Sequence, residues 1–200
     1  MIQFLKISSD TYTMKYLIVF TLFLSQLCIA SSKTTTVAPN KKTITILKAK
    51  FVQKEEKQNA SQYLSEYLPA GEDFENYTQM FAVWGLLDGS TIESQVKAKV
   101  EFVNSRKPAD PVANYTLFKS DENGYGLDFL ISEGPITEHN IWYYIKVKGG
   151  VLAYQYNRRH YKGQKVSSAK EFIEQIPKTR NQILEVLKSK NMPIPSGYKK

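Results

Sequence analysis

The chain has two histidines, His139 and His160. Neutral imidazole is a common ligand for a transition metal, and two imidazoles on adjacent strands come close enough to share one. The local pattern brings these two together. Residues 140–148 and 151–161 read as strands joined by Gly149-Gly150, and paired glycines favour a two-residue primed turn because glycine accepts positive φ without a Cβ clash. That register sets Val147 opposite Leu152, Tyr143 opposite Tyr156 and His139 opposite His160. Glu133 or Glu138 would complete a metal site, and the chemistry would be metal-dependent or hydrolytic.

A second constellation overlaps the first. Arg158, Arg159, His160 and Tyr161, followed by Lys162 and Lys165, form a basic cluster beside Tyr154 and Tyr156. Arginine forks match carboxylate or phosphate, and tyrosine adds a stacking face, so the cluster reads as an anion-binding surface. The plainer reading is a solvated strand end in which Arg158 or Arg159 pairs with Asp128 or Glu133. In the same register Trp142, Tyr144, Lys146 and Lys148 share the second face of the hairpin with Gln155 and Asn157, which makes that face aromatic and half-wet. The acidic run 72–75 has no partner carboxylates at telling positions. The sequence contains no Gly-x-Ser-x-Gly elbow, no His-Glu-x-x-His and no phosphate-loop glycines. No cofactor is expected.

The elements that must position these groups follow from the periodicities. Residues 43–53 read as a strand with a break in phase at Leu47. Residues 54–58 read as a charged turn or helix start. Residues 59–68 fit either a helix or an extended arm before Pro69. Residues 77–87 form a dense apolar strand, placed centrally in the sheet by its two-sided hydrophobicity. Ser90 and Glu93 fit a capping box. The helix after them, to Arg106, carries Ile92, Val96, Val100 and Val103 on one stripe, with Lys97, Lys99 and Glu101 off it. Short strands follow at 113–119 and 126–133, then the hairpin. A second capping box, Ser168 with Glu171, opens a helix reaching about Lys190, which Pro177 should kink or divide. Strand runs interrupted by single helices indicate an α+β fold: one mostly antiparallel sheet with two amphipathic helices covering one apolar face. Residues 43–190 make a single domain, and 191–200 a tail.

The N-terminus points to export. Lys15 precedes an apolar run over 16–24, and small residues near Ala30 fit a peptidase site, so residues 1–30 read as a signal peptide with Met14 as an alternative start. Residues 31–42 read as a flexible leader. The lone cysteine, Cys28, falls inside the signal, so the mature chain would need no disulfide and offer no thiolate. The formal charge of +8 fits an anionic partner, and export argues against nucleic acid. Asn59, Asn76 and Asn114 head glycosylation patterns that matter only in a eukaryotic secretory route.

Residues 67–72, Tyr-Leu-Pro-Ala-Gly-Glu, followed by 75–80, Glu-Asn-Tyr-Thr-Gln-Met, resemble small exported bacterial proteins of unassigned function. That group carries a Pro-x-Gly-Glu turn and an Asn-Trp-Thr-Gln-Met-like strand, and Tyr77 stands at its tryptophan. The element order also resembles the Mog1/PsbP-like α/β/α sandwich, which implies a fold and transfers no function. The sequence therefore leads to a periplasmic or secreted binding protein without a transmembrane span after cleavage. Its partner would be an unknown protein or an anionic envelope component, and its binding residues Trp142, Tyr144, Tyr154, Tyr156, Arg158, Arg159, His160 and Tyr161. The alternatives are an enzyme built on His139 and His160, and a secreted factor acting on a host.

Overall fold

The chain was analysed as a computed structural model, which describes residues 42–121, 124–163, 168–189 and 191–198. The expected signal peptide, nearly all of the leader, Lys165 and Lys190 lie outside the described residues. Two antiparallel meanders meet edge to edge. The first is β1 (Thr43–Ile46), β2 (Ala49–Gln58), β3 (Gln62–Pro69) and β4 (Gln79–Leu86). Helix α1 (Ile92–Arg106) then crosses to the far edge. The second meander is β5 (Asn114–Asp121), β6 (Gly124–Glu133), β7 (Ile136–Val147) and β8 (Gly150–Tyr161), and β8 returns to pair with β4. The eight-stranded sheet has the order β1-β2-β3-β4-β8-β7-β6-β5, antiparallel throughout. Helices α2 (Ala169–Glu174) and α3 (Ile176–Leu187) close the chain. This is the α+β class that the strand and helix order predicts.

The helices lie on opposite faces of the sheet, not on one. Ile183, Leu184 and Leu187 of α3 join Ile141, Tyr143, Ile145, Tyr154 and Tyr156 in one core. Val96 and Val103 of α1 join Leu127, Phe129, Trp142 and Tyr144 in the other. Successive side chains on a strand alternate faces, so a sheet covered on both sides must be apolar on both. Strands β7 and β8 obey this, with most positions buried.

Several local expectations shift. The hairpin turn is Lys148-Gly149, with Val147 paired to Gly150. Gly149 takes φ 86° as the turn requires. Gly150 serves a different need, because a Cβ there would lie 1.8 Å from the Leu86 carbonyl oxygen. Moving the turn by one residue moves every partner by two, so faces are kept while pairs change. His139 now faces Arg158 and His160 faces Thr137, and the two imidazoles are out of register. Residues 54–58 continue β2, and the irregularity falls between Gln53 and Glu55, not at Leu47, which sits in the β1–β2 turn. Residues 62–69 are strand. Thr91 and Ser94, not Ser90 and Glu93, form the reciprocal cap of α1. Lys99 belongs to the inward stripe, with its ammonium 4.1 Å from the Trp142 ring centroid, and burial pushes its pKa well down. The Ser168–Glu171 box caps α2 as expected, and the helix divides at Gln175 just before Pro177. Residues 191–198 pack inward: Tyr198 is buried against Gly85 and Tyr63, and Tyr154 donates to the Pro193 carbonyl.

The β1–β2 turn holds two non-glycine residues at positive φ, Leu47 at 46° and Lys48 at 72°. A left-handed conformation costs an L-residue roughly 1–2 kcal/mol. Lys48→Gly should therefore raise stability by about 1 kcal/mol in urea unfolding, and an unchanged or lower midpoint would contradict this reading of the turn.

Candidate functional site

The strand pleat splits the basic cluster at the open end of the hairpin between two faces. On the α3 face, the Arg158 guanidinium donates to Thr179 Oγ1 at 2.7 Å and lies 5.3 Å from the Phe172 ring centroid. His160 packs on that same ring. His139, 1% exposed, meets Asp128 through Nε2 at 3.1 Å, and Arg180 approaches the same carboxylate at 3.6 Å. Tyr154 and Tyr156 are buried in this layer, and the Tyr156 hydroxyl donates to Gln79 at 2.6 Å. On the α1 face, Arg159 and Tyr161 turn the other way, while Trp142 and Tyr144 stack under α1 at 5.8 Å. Among the described residues, no three His, Cys, Asp or Glu side chains are grouped to hold a metal ion. Arg159 pairs with Glu138, Arg106 with Glu133 and Arg180 with Asp128, so pairing of the expected kind is present with other partners.

Beyond the ground covered by α1, the same face carries polar side chains that satisfy one another. Glu138 accepts from Arg159 Nε at 2.5 Å, Tyr77 at 3.2 Å and Asn140 at 2.9 Å. Gln155 donates to Asn157 at 2.8 Å and accepts from the Trp84 indole N–H at 2.7 Å. Arg159 also stacks on Tyr77 at 3.7 Å, and Tyr161 donates to the Tyr77 carbonyl at 2.8 Å. Burial, then the negative charge of Glu138, drives the Tyr77 hydroxyl well above its usual pKa. A buried ion pair loses heavily when one partner is removed, because the other charge is left desolvated. Arg159→Met should cost about 3 kcal/mol in urea unfolding. Adding Glu138→Leu to it should recover part of that loss, and equal losses for single and double variants would contradict the pairing.

The sequence reading missed two carboxyls on this face. Glu55 on β2 and Glu66 on β3 are direct cross-strand partners. Glu66 next faces Ala82, Ala82 faces Gln155, and Gln155 faces Trp142. Leu64 faces Trp84 one pleat along. Glu66 is 1% exposed, and its Oε2 has no hydrogen-bond partner. Burial, reinforced by Glu55, raises its pKa to about 8, with Lys57 opposing the shift. Lys57 instead holds Glu55, at 2.7 Å. Trp84 is half-buried, 5.9 Å from the Trp142 ring, and fixed by Gln155. The signal for Glu66 was available in alternation. Once 62–69 is strand, Leu64, Glu66 and Leu68 share a face, and an acid between two leucines marks a buried carboxyl.

A family model matches residues 38–192, from just before β1 to beyond α3. The chain belongs to that family. Its members' function is uncharacterised, so the match establishes kinship without assigning an activity. No curated protein matches the chain. Among the described residues, no helix is long and apolar enough to cross a membrane.

Burial of Glu66 gives this fold a pH dependence whose sign follows from the direction of the shift. Its folded pKa lies above the ordinary carboxylate value, so the fold favours the neutral form. The stabilisation from this group is complete in acid, falls as pH rises from about 4.5, and is gone above about 8. Glu66→Gln should be more stable than the parent at pH 9, by on the order of 5 kcal/mol, and should level with it near pH 4. A constant difference across that range would contradict a buried neutral acid.

Proposed function

We propose that this protein is an exported, non-enzymatic binding module that takes its ligand on the polar part of the α1 face, around Glu55, Glu66, Trp84 and Gln155. The observation that carries this reading is the immobilised indole. Trp84 is half-buried, tilted against Trp142 and hydrogen-bonded through Nε1, so its ring is held in one orientation and its ordering cost is already met. Pre-positioned aromatic side chains are the residues on which binding energy concentrates. The guanidinium groups of Arg158 and Arg159 are engaged within the fold, which moves the proposed ligand surface away from the basic strand end. The apolar run over 16–24 and the small residues near Ala30 support export to the periplasm or beyond. Helices on both faces of an antiparallel sheet support the likeness to Mog1/PsbP-like sandwiches as a proposal for the fold group.

The Asp128–His139 contact supports a second reading, a hydrolytic enzyme, since a carboxylate that orients an imidazole is half of a base-assisted site. Capture experiments with immobilised mature chain and native envelope extract separate the two. Trp84→Ala should lose the captured component by tenfold or more while Asp128→Asn retains it. Capture indifferent to Trp84 but lost in Asp128→Asn would favour the second reading.

A further inference from the structure

We propose that the outer edge of β5 is an interface at which two copies of this chain pair strand to strand. The inference goes beyond the ligand surface around Trp84 and does not rest on it. β5 ends the sheet, and among the described residues no strand lies beyond it. An unpaired edge is a template for another strand, and folds usually blunt it with shortness or charge. The opposite edge is blunted in both ways. β1 has four residues, and past the stretch that it covers β2 carries Lys54, Glu55, Glu56 and Lys57. β5 has eight residues, and its run from Asn114 to Phe118 carries no charge. Asn114, Thr116 and Leu117 are exposed there. Leu117 is 41% exposed, and among the described residues it is the one large exposed apolar side chain within a strand.

Hydrogen-bond parity decides which groups this edge offers. On an antiparallel strand the N–H and C=O of successive residues point to opposite sides. The two-residue turn pairs Val147 with Gly150, and the Lys162 N–H donates to the Pro135 carbonyl at 2.7 Å, so the odd residues of β7 bond to β8. Its even residues therefore bond to β6, where Trp142 meets Leu127 and Tyr144 meets Tyr125. The even residues of β6 are left for β5, where Leu130, Asp128 and Gly126 meet Asn114, Thr116 and Phe118. Tyr115, Leu117 and Lys119 thus turn their backbone N–H and C=O outward. These three are symmetric about Leu117. A twofold axis there sets Leu117 opposite itself and Tyr115 opposite Lys119 of the second copy, and each such pair exchanges two hydrogen bonds. Every outward group from Tyr115 to Lys119 is then used. The two exposed leucines cover one another, each beside its own Leu127. An uncharged, apolar strand selects a partner strand of the same kind, and the chain itself supplies one in register.

The test is analytical ultracentrifugation of the protein over a concentration series at low and high salt. A reversible dimer is expected. Each copy carries +8, so added salt should strengthen the dimer by screening repulsion across an uncharged seam, whereas an anionic partner would be released by it. Leu117→Lys should weaken association by about tenfold or more, since like charges would face each other on the axis. Leu117→Pro removes an N–H that β6 does not use, so it should abolish the dimer while circular dichroism stays that of the parent. Leu117→Cys, in a Cys28→Ser background, should form an intermolecular disulfide on mild oxidation, because directly paired Cα atoms stand about 5.5 Å apart. A monomer at every concentration overturns the proposal, as does a dimer that the Lys and Pro variants leave unchanged. A monomer whose capture of an envelope component is lost in Leu117→Lys assigns the edge to another protein's strand, and overturns it too.

Discussion

A sheet of eight strands with helices on both faces has little room for water, and that constraint governs where polar groups can sit. Strands β7 and β8 are buried through their middle stretches. A charge placed in those stretches must find its counterpart inside the protein. The result is two separate networks at one end of the hairpin. Asp128, His139 and Arg180 meet under α3, while Glu138, Arg159 and Tyr77 meet on the α1 face. Sequence neighbours such as Arg158 and Arg159 thus belong to different layers and different chemistry. The pleat, more than the composition, decides which groups can act together.

The same constraint makes Glu66 informative. Its strand is central enough to be buried, yet its nearest cross-strand partner is another acid. The cluster around Glu138 shows how this fold satisfies a buried carboxylate, with a guanidinium, a phenol and a carboxamide converging on it. Glu66 has received none of these. Within one face of one sheet, one acid is charged and met by donors, and the other is held neutral beside Glu55 by burial.

Much of this fold was legible in the sequence. The alternation in 140–161 sorted Tyr143, Ile145, Tyr154 and Tyr156 onto one face and Trp142, Tyr144 and Gln155 onto the other, and the structure keeps that division. Ser168 and Glu171 announced a helix start, and Pro177 announced its division. What misled was local. Gly149-Gly150 looked like the turn, but the second glycine is required by the approach of Leu86 from β4, a tertiary contact invisible in the hairpin. That error of one residue placed His139 opposite His160. Lys99 was assigned to the wet side by its charge, whereas α1 turns it onto Trp142. Residues 59–68 were ambiguous because Tyr63, Leu64, Tyr67 and Leu68 fit a helical period, and Glu66 disappeared with the strand that carries it.

The account turns on Glu66 being a neutral, buried acid at physiological pH. Carbon-13 nuclear magnetic resonance of its side-chain carboxyl, followed through a pH titration of the protein, measures this directly. The structure predicts a midpoint of about 8. A midpoint near the ordinary carboxylate value of 4.5 would contradict it.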